Sequence, residues 1–183
     1  MAAGDGLVSM TPTSIAHSGT SASINAYGGV DFTAVTSLSL NGVFTSEMDN
    51  YLILLFGLGT ADTGTNFRLR VAGTDADGSS DYVYQYLLAT GSATPSGARD
   101  SAQTFGRIGN LMTTQRSGIT VHMYGPALAQ ATAWRSVTVD GLSSARIQDF
   151  ANTHDLATAY DGFTIYPNSG NFTGNVHVFG YEE

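Results

Sequence analysis

Short stretches in which apolar and polar residues alternate, broken by Gly, Asn and Asp, run along the whole chain and predict strands joined by turns. In residues 36–44, Leu38, Leu40 and Phe44 fall on one side and Ser37 and Ser39 on the other. Phe67, Leu69 and Val71 alternate with Arg68 and Arg70, which predicts one buried and one wet face. Tyr82, Tyr84 and Tyr86 share a face opposed by Val83, Gln85 and Leu87. Ile119, Val121 and Met123 alternate with Thr120, His122 and Tyr124, and residues 134–140 carry Val137 and Val139 on one face. Phe163 and Ile165 alternate with Thr164 and Tyr166 up to Pro167, and Val176 and Val178 alternate with His177 and Phe179. Residues 51–56, Tyr-Leu-Ile-Leu-Leu-Phe, are apolar on both sides, as expected of a central strand covered on each face. The flanking Asp49-Asn50 and Gly57 and Gly59 favour strand over helix there.

Eight strands result, with weaker ones near residues 21–27, 105–112 and 145–150. Residues 127–133, after Pro126, are the one helical candidate and are expected to be a loop or a single turn. Many short strands with Gly-rich turns predict an all-β, antiparallel β-sandwich with long Gly/Ser/Thr loops and little or no helix. No linker or repeat divides the chain. The expected organisation is an extended N-terminal arm over residues 1–20, poor in large apolar side chains, and a single β-sandwich domain over residues 21–183. Residues 89–103 read as a long exposed loop.

Composition narrows the function classes. Of 183 residues, 62 are Gly, Ser or Thr, and only 12% are charged, about half the usual share. The charge is too sparse and the apolar content, at 42%, too high for intrinsic disorder. No apolar run reaches the roughly 18 residues of a membrane helix, so no membrane partner is expected. The net charge of −8, with seven scattered Arg and no Lys, argues against nucleic acid, which needs clustered positive charge. Absence of cysteine removes disulfides, Cys–zinc sites and thiol catalysis. The first residues show neither a basic nor an apolar secretory region, so no signal is expected.

Candidate chemistry is thin. Asp75, Asp77 and Asp81, with Ser79 between them, supply part of a hard-cation loop. Gly78 falls early for an EF-type loop, however, and Tyr86 stands where the bidentate Glu belongs. The bland reading is a polar hairpin joining the 67–71 and 82–88 strands through an Asp-Gly turn, so no metal or other cofactor is expected and Ca²⁺ stays the one open candidate. His17, His122, His154 and His177 lack metal-ligand spacing. Residues 141–145, Gly-Leu-Ser-Ser-Ala, echo a nucleophile elbow without the helix it needs. Gly57-Leu58-Gly59 has neither the third Gly nor the Lys of a phosphate loop. Glu47 and Asp49 read as turn-solvating acids, although carboxylates that converge in space are invisible at this level. Asn171-Phe172-Thr173 fits a glycosylation acceptor pattern. No catalytic residue is assigned and no enzyme is expected. The aromatic residues say more: Tyr82, Tyr84 and Tyr86, together with Trp134, are candidates for a sugar-stacking platform or a subunit interface, against a bland reading as sandwich core.

The succession Leu38-Ser39-Leu40-Asn41-Gly42-Val43-Phe44, Asp49-Asn50-Tyr51-Leu52-Ile53-Leu54, Arg68-Leu69-Arg70-Val71-Ala72-Gly73-Thr74 and Asp81-Tyr82-Val83-Tyr84 resembles a β-sandwich domain of virion structural proteins of tailed bacteriophages, as found in capsid decorations and tail fibres. The stretch 162–181, from Gly-Phe-Thr-Ile-Tyr-Pro to Val-His-Val-Phe-Gly-Tyr, carries most of the likeness, which spans about residues 21–181. The resemblance implies a jelly-roll-like fold, a homo-oligomer, a trimer above all, and a place on the particle exterior after synthesis in the host cytoplasm. It carries over no catalytic residue. The expected function is a capsid decoration protein contacting the major capsid protein. The alternative is a tail-fibre or tail-tip protein that attaches to a host surface glycan.

Overall fold

The computed structural model describes residues 6–90, 94–140 and 146–181. They form fourteen strands and, among the described residues, no helix. The strands are β1 (Leu7–Ser9), β2 (Ser14–Ile24), β3 (Val30–Asn41), β4 (Asn50–Gly59), β5 (Thr63–Val71), β6 (Thr74–Asp75) and β7 (Tyr82–Thr90), then β8 (Ser96–Gln103), β9 (Gly106–Leu111), β10 (Ser117–Tyr124), β11 (Thr132–Asp140), β12 (Arg146–His154), β13 (Gly162–Pro167) and β14 (Phe172–Tyr181). They pair along the path β6-β5-β13-β3-β14-β4-β10-β11-β12-β7-β8, with β1 on β14, β2 on β3 and β9 on β5. The pairings are antiparallel, and the path curls back on itself into a jelly-roll-like β-sandwich.

Strand β3 belongs to both layers. Its residues 30–35 pair with β14 and its residues 38–40 with β13. Between the two, the ladders slip at Ser18/Gly19 and at Phe172/Gly174, and Ala34 adopts φ 48°. Bulges bend a strand and sharpen its twist, so one long strand turns the corner. Gly19 sits there at φ 119°, and a Cβ on it would run into the Ala34 carbonyl. One layer is then β9–β5–β13–β3 and the other β14–β4–β10–β11–β12–β7–β8. Aromatic side chains fill the space between them. Phe67 stacks on Phe163 at 4.9 Å and meets Trp134 from the opposite layer at 5.5 Å, while Phe44 packs on Tyr51 at 4.8 Å.

Several expectations change. Residues 89–103 are not a loop throughout: β7 runs to Thr90, and β8 pairs along it as an exposed edge strand, residues 91–93 lying outside the described part. Its small polar residues, wet on both faces, leave no alternation to read. Residues 75–81 do not join β5 to β7 as a hairpin. The β5 hairpin partner is β6, through the two-residue loop Ala72-Gly73, after which the chain crosses to the other layer. The arm expected over residues 1–20 is extended in its described part and paired: β1 lies on β14, and β2 runs across residue 20 along β3. Residues 127–133 form turns, as expected, and then the start of β11. Finally, β4 is covered on one face only, since Leu54 and Phe56 point to solvent.

Candidate functional site

The β11–β12 pair reverses the usual order of inside and outside. Its buried face is Thr132, Trp134, Ser136, Thr138 and Asp140 on β11, facing Gln148, Phe150, Asn152 and His154 on β12. Val139 and Ile147, opposite one another in register, point out to solvent. A polar lining inside a sandwich needs partners, because each unpaired buried group carries its full desolvation penalty. Part of the lining holds β9 in place. The β5–β9 ladder slips between Thr65 and Asn66, freeing backbone groups around Arg107 and Ile108. The Asn152 side chain reaches across the sandwich to take the Arg107 N–H at 2.9 Å and to donate to the Arg107 carbonyl at 3.0 Å. The Thr138 hydroxyl donates to the Ile108 carbonyl at 3.1 Å.

This clamp aims Arg107 into a cleft of ≈ 270 Å³ between β9 and the inner faces of β12, β7 and β8. The Arg107 guanidinium lies 5.9 Å from the ring centres of both Tyr84 and Phe105, within cation–π range. Its Nε is buried with no hydrogen-bond partner among the described residues. Asp100 faces Tyr84 across the β7–β8 pair, next to a bulge that includes Ala102 at φ 55°. Burial first, then the hydrogen bond to Asp100, push the Tyr84 hydroxyl up to about 12. At the far side the wholly buried Asp140 carboxylate accepts from Arg146 Nε at 2.7 Å. Gln148, 4% exposed, has its Oε1 without a partner among the described residues. Tyr86 and Phe150, paired across β7 and β12, form an aromatic wall with ring centres 5.5 Å apart.

The tyrosine stripe therefore faces inward. Tyr82 is wholly buried, its hydroxyl donating to the Ala76 carbonyl at 2.6 Å and accepting the Leu69 N–H at 3.0 Å. Tyr84 and Tyr86 line the cleft, and Trp134, 2% exposed, belongs to the core. Asp75, Asp77 and Asp81 do not converge on a cation position, and among the described residues no His, Asp or Glu cluster has that geometry. Asp75 instead accepts from Arg70 and from Thr164 Oγ1 at 2.6 Å. Arg70, expected on a wet face, is nearly buried there and also donates to Asn41, Ser39 and the Gly73 carbonyl. The histidines stand apart. His122 Nδ1 meets the Tyr181 hydroxyl at 3.0 Å, His154 is buried against Tyr160, His177 stacks on Phe179, and His17 is exposed on β2. Residues 141–145 lie outside the described part. Sequence reading missed Arg107, Arg146, Gln148 and Asp100; Arg146 and Gln148 recur at every second position before Phe150, whereas Asp100 stands in a strand without alternation.

A second feature is the outer face of β4–β10–β11–β12–β7. Leu54, Phe56, Val139, Ile147 and Leu87 lie across it in adjoining strands, between 40% and 61% exposed. Gly118, between Phe56 and Val139, leaves the middle of the row flat. The charges on this face are Arg135, bonded to Asp149 at 2.9 Å, Arg99 beside Gln85, and Arg116 placed 5.2 Å over the Phe56 ring.

No family model matches the chain, and no curated protein matches it. Among solved structures it is similar to the SPRY domain of human HERC1, at 10% identity and a TM-score of 0.40, covering 88% of this chain and 94% of that one. It is also similar to the C-terminal CBM6 of LamC, a marine laminarinase from Zobellia galactanivorans, at 12% identity and a TM-score of 0.33, covering 96% and 99%. The galectin LEC-6 of Caenorhabditis elegans matches at 12% identity and a TM-score of 0.35, covering 85% and 99%. These likenesses are too distant to carry a ligand, an activity or a partner from one chain to another.

Proposed function

We propose that the chain is a structural protein of a bacteriophage virion, displayed on the particle exterior as a homo-oligomeric decoration of the capsid. It holds neighbours together and transforms no molecule. The observation that carries this reading is the reversed β11–β12 pair. A strand that turns Val139 and Ile147 to water while burying Ser136, Thr138 and Gln148 makes sense when another protein surface covers the outer face. Its occupant is a second copy of the chain. Beside the Arg135–Asp149 pair the face bears Arg99 and Arg116 on a protein of net charge −8, so it complements the acidic remainder of the next copy. Such a head-to-tail contact gives a ring where its rotation closes, and a trimer is the ring that fits the resemblance. The major capsid protein beneath and the host cytoplasm as site of synthesis belong to the same reading.

The polar aromatic cleft favours a second reading, in which the chain sits at a tail tip or fibre and touches a host glycan. Cryo-electron microscopy of the assembled particle separates the two. Density for the chain at repeated positions on the capsid exterior is expected. Density confined to the tail selects the second reading, and absence from the particle refutes both.

A further inference from the structure

We propose that the cleft between β9 and the β12–β7 pair is a binding site for one uncharged pyranose ring. This inference rests on the cleft alone and does not depend on where the chain sits in a particle. The cleft, ≈ 270 Å³, lies just under the ~300–1,000 Å³ of sites for drug-sized ligands, so it suits one small ring and no chain of them. Its polar groups are left over from folding. Gln148 Oε1 is an acceptor at the cleft wall, buried and, among the described residues, unpaired. Arg107 offers donors and, among the described residues, has no carboxylate within ion-pair distance. Asp100 adds acceptors at the rim. A hydroxyl donates one hydrogen bond and accepts others, so neighbouring hydroxyls on a ring match such a mixture of unused donors and acceptors.

Charge and shape exclude the nearest rivals. Two guanidiniums, Arg107 and Arg146, are matched in number by two carboxylates, Asp100 and Asp140, so the cleft has no net formal charge to favour a charged ligand. A purely apolar ligand would leave Gln148 Oε1 and Arg107 Nε unpaired. The Tyr86 and Phe150 rings supply the face against which the C–H side of a pyranose packs, as the negative ring face favours polarised C–H groups.

The test is a titration of the uniformly ¹⁵N-labelled full chain with the methyl glycosides of glucose, galactose and mannose, with glucuronate and sulfate as charged controls. At least one neutral glycoside should give saturable shifts confined to amides of β7, β8, β9 and β12 at roughly 50 mM, since ligands this small reach millimolar constants. Gln148→Leu should weaken binding at least about tenfold while keeping the melting temperature, because it removes an unpaired buried acceptor. Arg107→Gln should weaken it similarly, and Leu87→Ser on the outer face should leave it unchanged. If Arg107→Gln fails to fold, Gln148→Leu and the map of shifts decide without it. Absence of saturable shifts, shifts located on the outer face, binding by sulfate or glucuronate alone, or full binding by the Gln148→Leu protein would each overturn the proposal.

Discussion

Ala72 at φ 51° and Gly73 at φ 78° form the two-residue loop between β5 and β6, with Val71 and Thr74 paired across it. Two successive positive φ angles define the mirror-image turn that suits the twist of a hairpin, and Asn-Gly is its favoured dipeptide. An alanine held in that region costs roughly 1–2 kcal/mol. Ala72→Asn should therefore stabilise the protein by about 0.5–1 kcal/mol, seen as a higher urea midpoint at unchanged m-value. A lower midpoint would mean that the Ala72 N–H bond to Asp161 had been lost. His154 gives a pH-dependent counterpart. It is wholly buried between the rings of Tyr82 and Tyr160, at 4.3 and 5.2 Å. Burial holds its pKa below the ordinary 6.5, against the opposing pull of Asp81 and Asp155. Because the folded value is the lower one, the unfolded chain takes up the proton first. Stability is then full above the unfolded pKa and falls as pH drops from there towards the folded pKa, by at most about 1.4 kcal/mol per pH unit. Denaturation curves of wild type and His154→Gln between about pH 7 and pH 5 should show this slope in the wild type only.

At the scale of strands, legibility follows from whether a side chain's surroundings are reflected in its own polarity. Ile119, Val121 and Met123 on β10, or Phe163 and Ile165 on β13, are apolar and buried, so their alternation places them correctly. On β11 the alternation of Val137 and Val139 is equally clear, yet it marks the face turned outward. Periodicity finds the two faces of a strand but does not say which one meets the core. The all-apolar residues 51–56 contained the same information: Leu54 and Phe56 are apolar because of the outer face, not because a second layer covers them. The cleft was hidden for a related reason, since Asp100 comes from an edge strand without pattern and Arg107 from a bulge. Asn152 is the link between these elements. Asn152→Leu leaves the Arg107 N–H and carbonyl without partners and should destabilise the fold by about 3 kcal/mol, measurable by urea denaturation. It should also broaden the amide resonances of β9, whereas a fully stable variant would show that the bulge finds other partners.

At the scale of the molecule, polar residues inside one end of the sandwich and apolar residues outside it belong to one design. The lone chain leaves Leu54, Phe56, Val139, Ile147 and Leu87 in water, where each forfeits the gain of burial. Covering this face with another copy removes the same side chains from water without any rearrangement of the core. Val139 and Ile147, directly opposed on β11 and β12 in the same row as Phe56 and Gly118, are the pair to change. Replacing both with Asp alters nothing that the single chain packs, so the circular-dichroism spectrum and the melting of the monomer should hold. Two carboxylates placed within an apolar contact would each have to be desolvated or the contact given up. Light scattering behind size-exclusion chromatography should accordingly show the wild type as a concentration-dependent oligomer and the double variant as a monomer at the same concentrations. Because the contact is largely apolar, added salt should weaken the wild-type oligomer only slightly, through Arg99 and Arg116, whose exposed charges are screened within about 10 Å at 0.1 M. A wild type that stays monomeric, or a double variant that still assembles, would remove this face from the assembly and with it the main support for a role in holding neighbours together.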